Sequence, residues 1–196
     1  MLLPLPDGVF EAYLFDCDGT ITDSMPAHHE AWLAALAEWG AGFPEDLFYS
    51  WGGRTVVDVI TDLNRMQGLD MPIDVVAARR EELFQAMLPS IGAVPGVLEH
   101  IEASYRRVPF AVVSGSTRES VTASLGALDL LDRFETLVCA EDYARPKPDP
   151  EGYLTAARRL GVAPENCLVF EDTPLGVAAA EAAGMAYIRV PAPWER

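Results

Sequence analysis

AYLFDCDG, residues 12–19, places two aspartates two positions apart at the end of a short apolar run. A run of this kind is typical of a strand that is buried on both faces of a parallel sheet. Further apolar runs follow at residues 110–115, 134–142, 167–172 and 186–190, and helical patterns separate them. The alternation predicts an α/β fold, a parallel sheet with helices on both faces.

Residues 24–93 have a different pattern, because no comparable strand signal occurs among them. Helical stretches are present instead, at residues 28–40, 54–68 and 72–88. The first two end at a glycine and the third ends before Pro89, as helices commonly do. We therefore predict a core domain of residues 1–23 and 94–196 and an inserted α-helical cap of residues 24–93.

The charge balance and the cysteines limit the classes of protein that fit this chain. Its 196 residues include 30 Asp and Glu against 14 Lys and Arg, a formal net charge of −16. Nucleic-acid and anionic-membrane surfaces need clustered positive charge, so neither partner is expected. The 3 cysteines lie in or beside apolar runs and indicate buried, reduced thiols. Because no signal peptide or bilayer-spanning stretch is recognisable, we expect a cytoplasmic protein, and we expect a monomer.

Polar residues follow the predicted strands at their carboxyl ends, the edge at which open parallel sheets bind ligands. They are Asp16, Asp18, Ser114, Gly115, Ser116, Lys147, Glu171 and Asp172. Carboxylates this close together require a cation among them, and a set of oxygen ligands suits Mg²⁺. The sequence predicts a magnesium site held by Asp16, the backbone carbonyl of Asp18, and Asp172.

The same residue types suit phosphoryl transfer. Asp16 is placed to attack a phosphorus atom and form an aspartyl phosphate. Asp18 lies on the same side of the strand end, where it could protonate the departing oxygen and then deprotonate the attacking water. We expect its carboxylate neighbours to raise the pKa of Asp18 and a bound Mg²⁺ to oppose that shift. Lys147, the only lysine of the chain, supplies a compact positive charge where a forked guanidinium would be bulky.

Four motifs in this order resemble those of the haloacid dehalogenase superfamily: FDCDGTITD (15–23), VVSGS (112–116), KPDP (147–150) and FEDTPLG (170–176). The resemblance implies a Rossmann-like core in which Asp16 is the nucleophile and Asp18 the acid and base. It makes Ser114 and Lys147 the phosphate-holding residues, with Gly115 and Ser116 beside them. Glu171 and Asp172 would complete the metal site that Asp16 and Asp18 begin.

The inserted cap resembles that of the β-phosphoglucomutase-like branch of this superfamily. Within the branch, HHEAW (28–32) and FEDTPLG are similar to bacterial sugar-phosphate phosphatases, such as those acting on fructose 1-phosphate. The resemblance does not imply dehalogenation, because a halide leaves unprotonated and would not need an acid at Asp18.

Two cap residues, His28 and Arg54, are open to two interpretations each. His28 matches a histidine that positions the acid/base aspartate in the mutase branch, or it is a polar residue near a helix start. Arg54 could reach a substrate phosphate or hydroxyl, or it is a solvated helix-start residue. Arg118 stands where the mutase has an asparagine, which argues against a mutase. The cap also has no lysine, although the mutase uses a cap lysine and arginine together. Arg79 or Arg80 could substitute, but both are interpreted as solvated helix residues.

We therefore predict a Mg²⁺-dependent phosphatase that hydrolyses a small phosphorylated metabolite, a sugar phosphate, through an aspartyl phosphate. A phosphomutase of the β-phosphoglucomutase type is the alternative enzyme. A phosphorylatable receiver-like signalling domain is the alternative from another class. Receivers place the acceptor aspartate on a later strand and have no long helical insertion, and both features argue against that reading.

Overall fold

The computed structural model describes residues 3–196, and its centre is a five-stranded parallel sheet. The strands lie in the order β3-β2-β1-β4-β5. Their bounds are β1 Ala12–Phe15, β2 Phe110–Val113, β3 Thr136–Val138, β4 Cys167–Glu171 and β5 Ala186–Arg189. The strand that carries the first motif is therefore central, between the strands that carry the second and fourth.

Apolar side chains cover both faces of this sheet, as near-continuous hydrophobic strands require. One cluster is built around Phe15, Phe110 and Phe170, and the rings of Phe15 and Phe170 stack with centroids 4.6 Å apart. The other includes Leu14 and Val169 and packs against small side chains. The covering helices are α5 Pro95–Ser104, α6 Arg118–Ala127, α7 Glu151–Leu160 and α8 Pro174–Ala182. The α/β fold class is confirmed.

Four helices lie between β1 and α5: α1 Met25–Ala37, α2 Glu45–Ser50, α3 Val56–Gln67 and α4 Ile73–Met87. They have an apolar cluster of their own, centred on Trp32, Phe43 and Leu63. Thr55 caps α3 by accepting the N–H of Asp58, and Gly68 ends the helix in the left-handed conformation. For these four helices, an apolar cluster of their own is what an inserted folding unit requires. The bounds of the cap at residues 24 and 93 stay a prediction.

The chain enters and leaves this helical insertion through two adjacent segments. The Asp23 N–H donates to the Gly92 carbonyl at 2.8 Å, and the Val94 N–H donates to the Ile21 carbonyl at 2.9 Å. Thr22 and Ala93 form an antiparallel bridge. These contacts place the two segments that link the core to the insertion side by side.

The last residues of the chain contact the insertion. The Trp194 ring meets the edge of Tyr49 in α2, with centroids 4.3 Å apart, and the indole is still 63% exposed. Arg196 pairs with Asp23 at 2.8 Å. Arg189 pairs with Glu195 at 2.7 Å and holds this segment to the sheet. The segment thus touches both the core and the insertion.

Within residues 3–196, no helix is long and apolar enough to cross a membrane.

Candidate active site

The residues after β1 and β4 are brought together by the pairing of those strands. Phe15 is opposite Phe170, and the Asp16 N–H donates to the Phe170 carbonyl at 3.0 Å. Asp16 therefore lies beside Glu171, the last residue of β4. Side-chain oxygens of Asp16, Glu171 and Asp172 all lie within 4.8 Å of one another.

This carboxylate cluster carries more negative charge than a buried site tolerates. Burial, and then repulsion from Glu171, raises the pKa of Asp16 to about 7. Burial, Asp16 and Glu171 together hold the pKa of Asp172 well above its usual value. A cation among these oxygens would relieve both effects.

Lys147 supplies one of the missing charges. Its Nζ donates to Asp16 Oδ1 at 2.7 Å and to Glu171 Oε2 at 2.6 Å, and its side chain is only 7% exposed. Burial disfavours the ammonium, but Asp16 and Glu171 outweigh it and hold the pKa of Lys147 well above its usual value. The lysine is therefore charged and fixed between two carboxylates.

Glu171 is fully engaged by donors of the protein. Besides Lys147, the Tyr153 hydroxyl donates to Oε2 at 2.6 Å. The Thr173 N–H and hydroxyl donate to Oε1 at 3.0 and 2.7 Å. Each oxygen of the carboxylate thus accepts two hydrogen bonds. Burial raises the pKa of Glu171, but Lys147 and these bonds outweigh it and lower that pKa.

The chemistry of the oxygen set fits a magnesium ion held by Asp16 and Asp172, because Mg²⁺ binds few carboxylates and keeps several waters. Thr20 donates to Asp172 Oδ1 at 3.3 Å and orients it. Gly19 has a φ of +86°, and a Cβ there would overlap the Asp172 carboxylate. Glu171, which the sequence also placed in the metal set, lies in the cluster, but its oxygens already accept bonds from the protein.

Asp18 occupies a different environment from the other three acids. Its carboxylate accepts hydrogen bonds from Ser24 at 2.9 Å, from His28 Nε2 at 2.9 Å and from Ser116 at 2.8 Å. Burial raises its pKa, but His28 and these bonds outweigh burial and hold the pKa of Asp18 well below its usual value. The expectation of a raised pKa at Asp18 is therefore wrong for this substrate-free site. The hydrogen-bond donors His28, Ser116 and Ser24 lower the pKa of Asp18 by more than its carboxylate neighbours raise it, and the sequence did not identify Ser116 and Ser24 as its partners.

His28 links Asp18 to a buried arginine. On α1, its ring stacks on Phe84 with centroids 3.7 Å apart, and its Nδ1 contacts a terminal nitrogen of Arg80. A guanidinium only donates, so Nδ1 must accept and Nε2 must carry the hydrogen that goes to Asp18. Burial, followed by the charge of Arg80, lowers the pKa of His28. His28 is therefore a neutral donor to Asp18.

The interpretation of Arg80 as a solvated residue is wrong. The residue is 9% exposed, lies near the rings of Trp32 and Phe84, and has a buried Nε without a partner in the described part of the chain. The sequence pattern of α4 could not show this, because Arg79 and Arg80 are adjacent and equally polar. Arg79 is at the surface, paired with Glu38 at 2.9 Å, as expected.

Ser114, Gly115 and Ser116 follow β2 and lie on the core side of the cleft. The Ser116 N–H donates to the Ser114 hydroxyl at 3.1 Å. The Tyr143 hydroxyl donates to the Ser114 carbonyl at 2.9 Å and fixes the turn. Thr117 then caps α6 by accepting the N–H of Ser120. Ser114, the predicted phosphate-holding residue, lines the same cavity as Asp16 and Lys147.

That cavity has a volume of about 460 Å³ and separates the core from the insertion. Its core wall includes Asp16, Asp18, Ser114 and Lys147. Its other wall includes Trp51, Arg54, Arg80 and Glu81. We name this cavity the catalytic cleft.

Arg54 lines the catalytic cleft but is already paired. It binds Asp62 at 2.6 Å and lies over the Trp51 ring, 4.4 Å from its centroid. Arg118 is turned away from the cleft, toward Asp142 and the Leu137 carbonyl. Its place therefore does not support a substrate contact.

Several partners of the site were missed from the sequence. They are Ser24, Arg80, Tyr153 and Thr173. Thr173 had a signal, because Thr before Pro174 is a typical helix N-cap and its place after Glu171 is fixed by the motif. Tyr153 and Arg80 had none, since helix periodicity does not identify the partner of a buried polar side chain. Cys17 is buried, as expected, and burial holds the pKa of its thiol well above the usual value.

Known proteins are similar to this chain in sequence and in fold. A family model described as a hydrolase, haloacid dehalogenase-like hydrolase, matches residues 10–184. Validoxylamine A 7′-phosphate phosphatase of Streptomyces hygroscopicus subsp. limoneus is 36% identical over 184 residues, which cover 90% of this chain and 84% of that protein. Fructose-1-phosphate phosphatase YqaB of Escherichia coli is 32% identical over 181 residues, covering 90% and 96%. The crystal structure of CbbY from Rhodobacter sphaeroides in complex with phosphate has a TM-score of 0.86 at 27% identity and covers 96% of this chain and 89% of that one.

Proposed function

This chain belongs to the haloacid dehalogenase-like hydrolases, and from that membership we propose a Mg²⁺-dependent sugar-phosphate phosphatase that acts through an aspartyl phosphate. Its named phosphatase relatives support a phosphoric monoester hydrolase. The single observation that carries the proposal is the pairing of two unlike aspartates in one cleft. Asp16 lies against Lys147 in the carboxylate cluster, and Asp18 lies among hydrogen-bond donors.

Asp16 is the proposed nucleophile. Lys147 binds its Oδ1, and in the described residues no donor contacts Oδ2, which is left to attack phosphorus. Attack forms an Asp16 O–P bond and breaks the P–O bond to the sugar, whose oxygen takes a proton from Asp18. Water then attacks the aspartyl phosphate, giving its proton to Asp18 and releasing phosphate. No oxidant or further reactant is needed.

Asp18 must gain its proton after the substrate binds. In the substrate-free site it is ionised, since its bonds to Ser24, His28 and Ser116 lower its pKa. The negative charge of a bound phosphate raises the pKa of a nearby carboxyl group. We propose that this shift converts Asp18 into the acid of the first step and that it returns to a carboxylate base for the second.

The remaining groups hold the phosphate oxygens. Lys147 and the Ser114 hydroxyl face the cleft beside Asp16 and suit two of these oxygens. A magnesium ion at Asp16 and Asp172 supplies further positive charge when it is bound. The cap wall, with Trp51, Arg54 and Glu81, would contact the sugar and set the substrate choice.

The proposal is tested by phosphate release from a panel of hexose, pentose and triose phosphates with Mg²⁺, with Asp16→Asn as the blank. We expect many turnovers per chain on one or a few members, and loss of release with EDTA. A single phosphoryl group taken up per chain would instead indicate a receiver. Formation of glucose 6-phosphate from β-glucose 1-phosphate with a bisphosphate primer would overturn the phosphatase in favour of the phosphomutase.

We predict that Asp18→Asn loses far more activity on alkyl phosphates than on an activated aryl phosphate, because only a poor leaving group needs the proton. A general acid contributes roughly 10²–10⁴-fold, so the loss on the sugar phosphate should lie in that range. Steady-state kcat values for both substrates measure it. Equal losses on the two substrates would remove the general-acid role.

A further inference from the structure

A second cavity adjoins the carboxylate cluster at Asp172. Its volume is about 590 Å³, and Asp172 lines it. Among residues 3–196, Asp16 and Lys147 line the catalytic cleft and not this cavity, whereas Asp172 lines this cavity and not the cleft. Met25, Gly52 and Thr173 border both, so the two cavities adjoin at these residues. The two proposed metal ligands, Asp16 and Asp172, thus line different cavities.

The second cavity is negatively charged. Glu45 and Asp46, in the first turn of α2, line it together with Asp172. Neither Glu45 nor Asp46 is in an ion pair within the described residues. The one basic residue in its lining, Arg189, is neutralised by Glu195 at 2.7 Å. The passage would therefore attract cations and repel a phosphate ester.

We propose that this second cavity is a cation route, through which a divalent ion reaches Asp172 without passing through the catalytic cleft. The inference rests on the metal site of the proposed function. Glu45 and Asp46 would steer the ion toward the opening, and the segment around Trp194 forms the opposite wall. A phosphate ester enters through the cleft, where Lys147 and Ser114 lie. Metal exchange would then continue while substrate fills the cleft.

The route is tested by the association kinetics of Tb³⁺ with the metal-free protein, followed in a stopped-flow instrument by luminescence excited through the aromatic residues. Asp172→Asn identifies the signal that belongs to the site. We expect the double variant Glu45→Gln/Asp46→Asn to slow association about tenfold at low ionic strength, and much less at high salt, which screens steering. Dissociation should be unchanged.

A charge-matched control separates steering from the loss of overall charge. Glu102 and Asp132 are exposed and lie near the start of β2 and β3, at the opposite edge of the sheet. Glu102→Gln/Asp132→Asn should leave the association rate of Tb³⁺ nearly unchanged. Equal slowing in both double variants would overturn the route.

A pair of steric variants tests the path itself. Ser50 lines the second cavity and Val57 lines the cleft. Ser50→Trp should slow Tb³⁺ association and dissociation by the same factor, with no change in Kd, as expected for a narrowed passage. Val57→Trp should leave both rates unchanged. The reverse pattern would place the route in the cleft, and absence of an Asp172-dependent signal in the unmodified protein would remove both the route and the proposed metal site.

Discussion

Lys147 lies between two buried carboxylates, and this geometry explains an ammonium at the position. Its Nζ contacts Asp16 and Glu171 at 2.7 and 2.6 Å. A planar guanidinium would need a wider gap to make the same two bonds.

We predict that Lys147→Met lowers the free energy of unfolding by about 3–5 kcal/mol, because it leaves buried carboxylates without their cation. Lys147→Arg should keep the positive charge and still lose most of the activity. Chemical denaturation and phosphate release measure the two effects. Arg65→Met is the control, since Arg65 is largely exposed and should change stability little. A stable Lys147→Met protein would contradict the assigned role of the ion pairs.

His28 makes a prediction that nuclear magnetic resonance can check. We expect the Nε2–H tautomer, and a ring that stays neutral below the usual pH of histidine titration because burial and Arg80 lower its pKa. In Arg80→Met the loss of positive charge should move this pKa back upward. Ring ¹⁵N and ¹³C shifts recorded against pH measure both. Arg79→Met is the matched control and should have no effect, whereas an Nδ1–H ring in the unmodified protein would contradict the assignment.

The sequence identified the polar residues that the core domain contributes to the site, but it did not identify their hydrogen-bond partners. Asp16, Asp18, Ser114 and Asp172 closely follow strands, as the order of motifs predicted, and Lys147 lies in the loop after β3. All five gather around the carboxylate cluster and the catalytic cleft. Their catalytic roles stay a proposal. The partner of a buried side chain depends on packing between distant segments, as the contact of Arg80 with His28 across 52 positions shows.

At the scale of elements, α8 and β4 meet at a glycine. Gly176 lies in the first turns of α8, and a Cβ there would overlap the Glu171 carboxylate. The helix start therefore fits the strand end only with glycine at this position.

We predict that Gly176→Ala lowers the free energy of unfolding by about 1–3 kcal/mol, the usual cost of overpacking, and displaces Glu171 from Lys147. Gly126→Ala is the matched control, since Gly126 is in α6 and no described residue beyond that helix lies within 4 Å of the position that an added Cβ would take. There alanine should stabilise by up to about 1 kcal/mol, because it restricts the unfolded chain and favours helix. Thermal and chemical denaturation check both. Equal effects would mean that the close approach at Glu171 is unimportant.

The bounds of β3 and the presence of α2 differ from what the sequence pattern predicts. The run at 134–142 reads as one strand, but β3 ends at Val138, and the Asp142 carboxylate then accepts the Cys139 N–H in a short turn. A run of apolar residues indicates burial but not hydrogen bonding to a neighbouring strand, so the predicted strand is longer than the observed one. The helix α2 has six residues, too few for a periodic signal, and it was missed.

At the scale of the whole molecule, the cleft lies between two clusters that pack separately. One includes Phe15 and Phe170 in the core, and the other includes Trp32 and Phe43 in the insertion. The two linking segments pair beside each other, at Thr22 and Ala93. A closing motion about these segments is the expected behaviour of such an arrangement.

We predict that a crosslink across the cleft blocks turnover. Val57 and Ala144 line opposite walls and are exposed, and the native cysteines are buried, so a Val57→Cys/Ala144→Cys pair would react selectively with a short bis-maleimide. Sugar-phosphate turnover should fall at least about tenfold if opening admits the substrate. Each single cysteine variant treated with the same reagent is the control. Undiminished turnover in the crosslinked protein would rule out opening.

The family and the fold were predictable from the sequence because four spaced motifs specify them together, and both are confirmed. The sugar was not predictable, because the side chains of the cap wall belong to helices whose mutual packing no motif specifies. Arg54 illustrates this, since its pairing with Asp62 decides how far it can reach. The monomeric state and the cytoplasmic location stay predictions.

The contact between Trp194 and Tyr49 gives the protein a built-in optical reporter. The other three tryptophans, Trp32, Trp39 and Trp51, lie between β1 and α5 and belong to the insertion. Trp194 is therefore the one tryptophan that contacts α2 from the core part of the chain. With those three replaced by phenylalanine, its emission would follow the separation of α2 from the sheet in real time. Motion of the insertion would then be visible without attaching a dye.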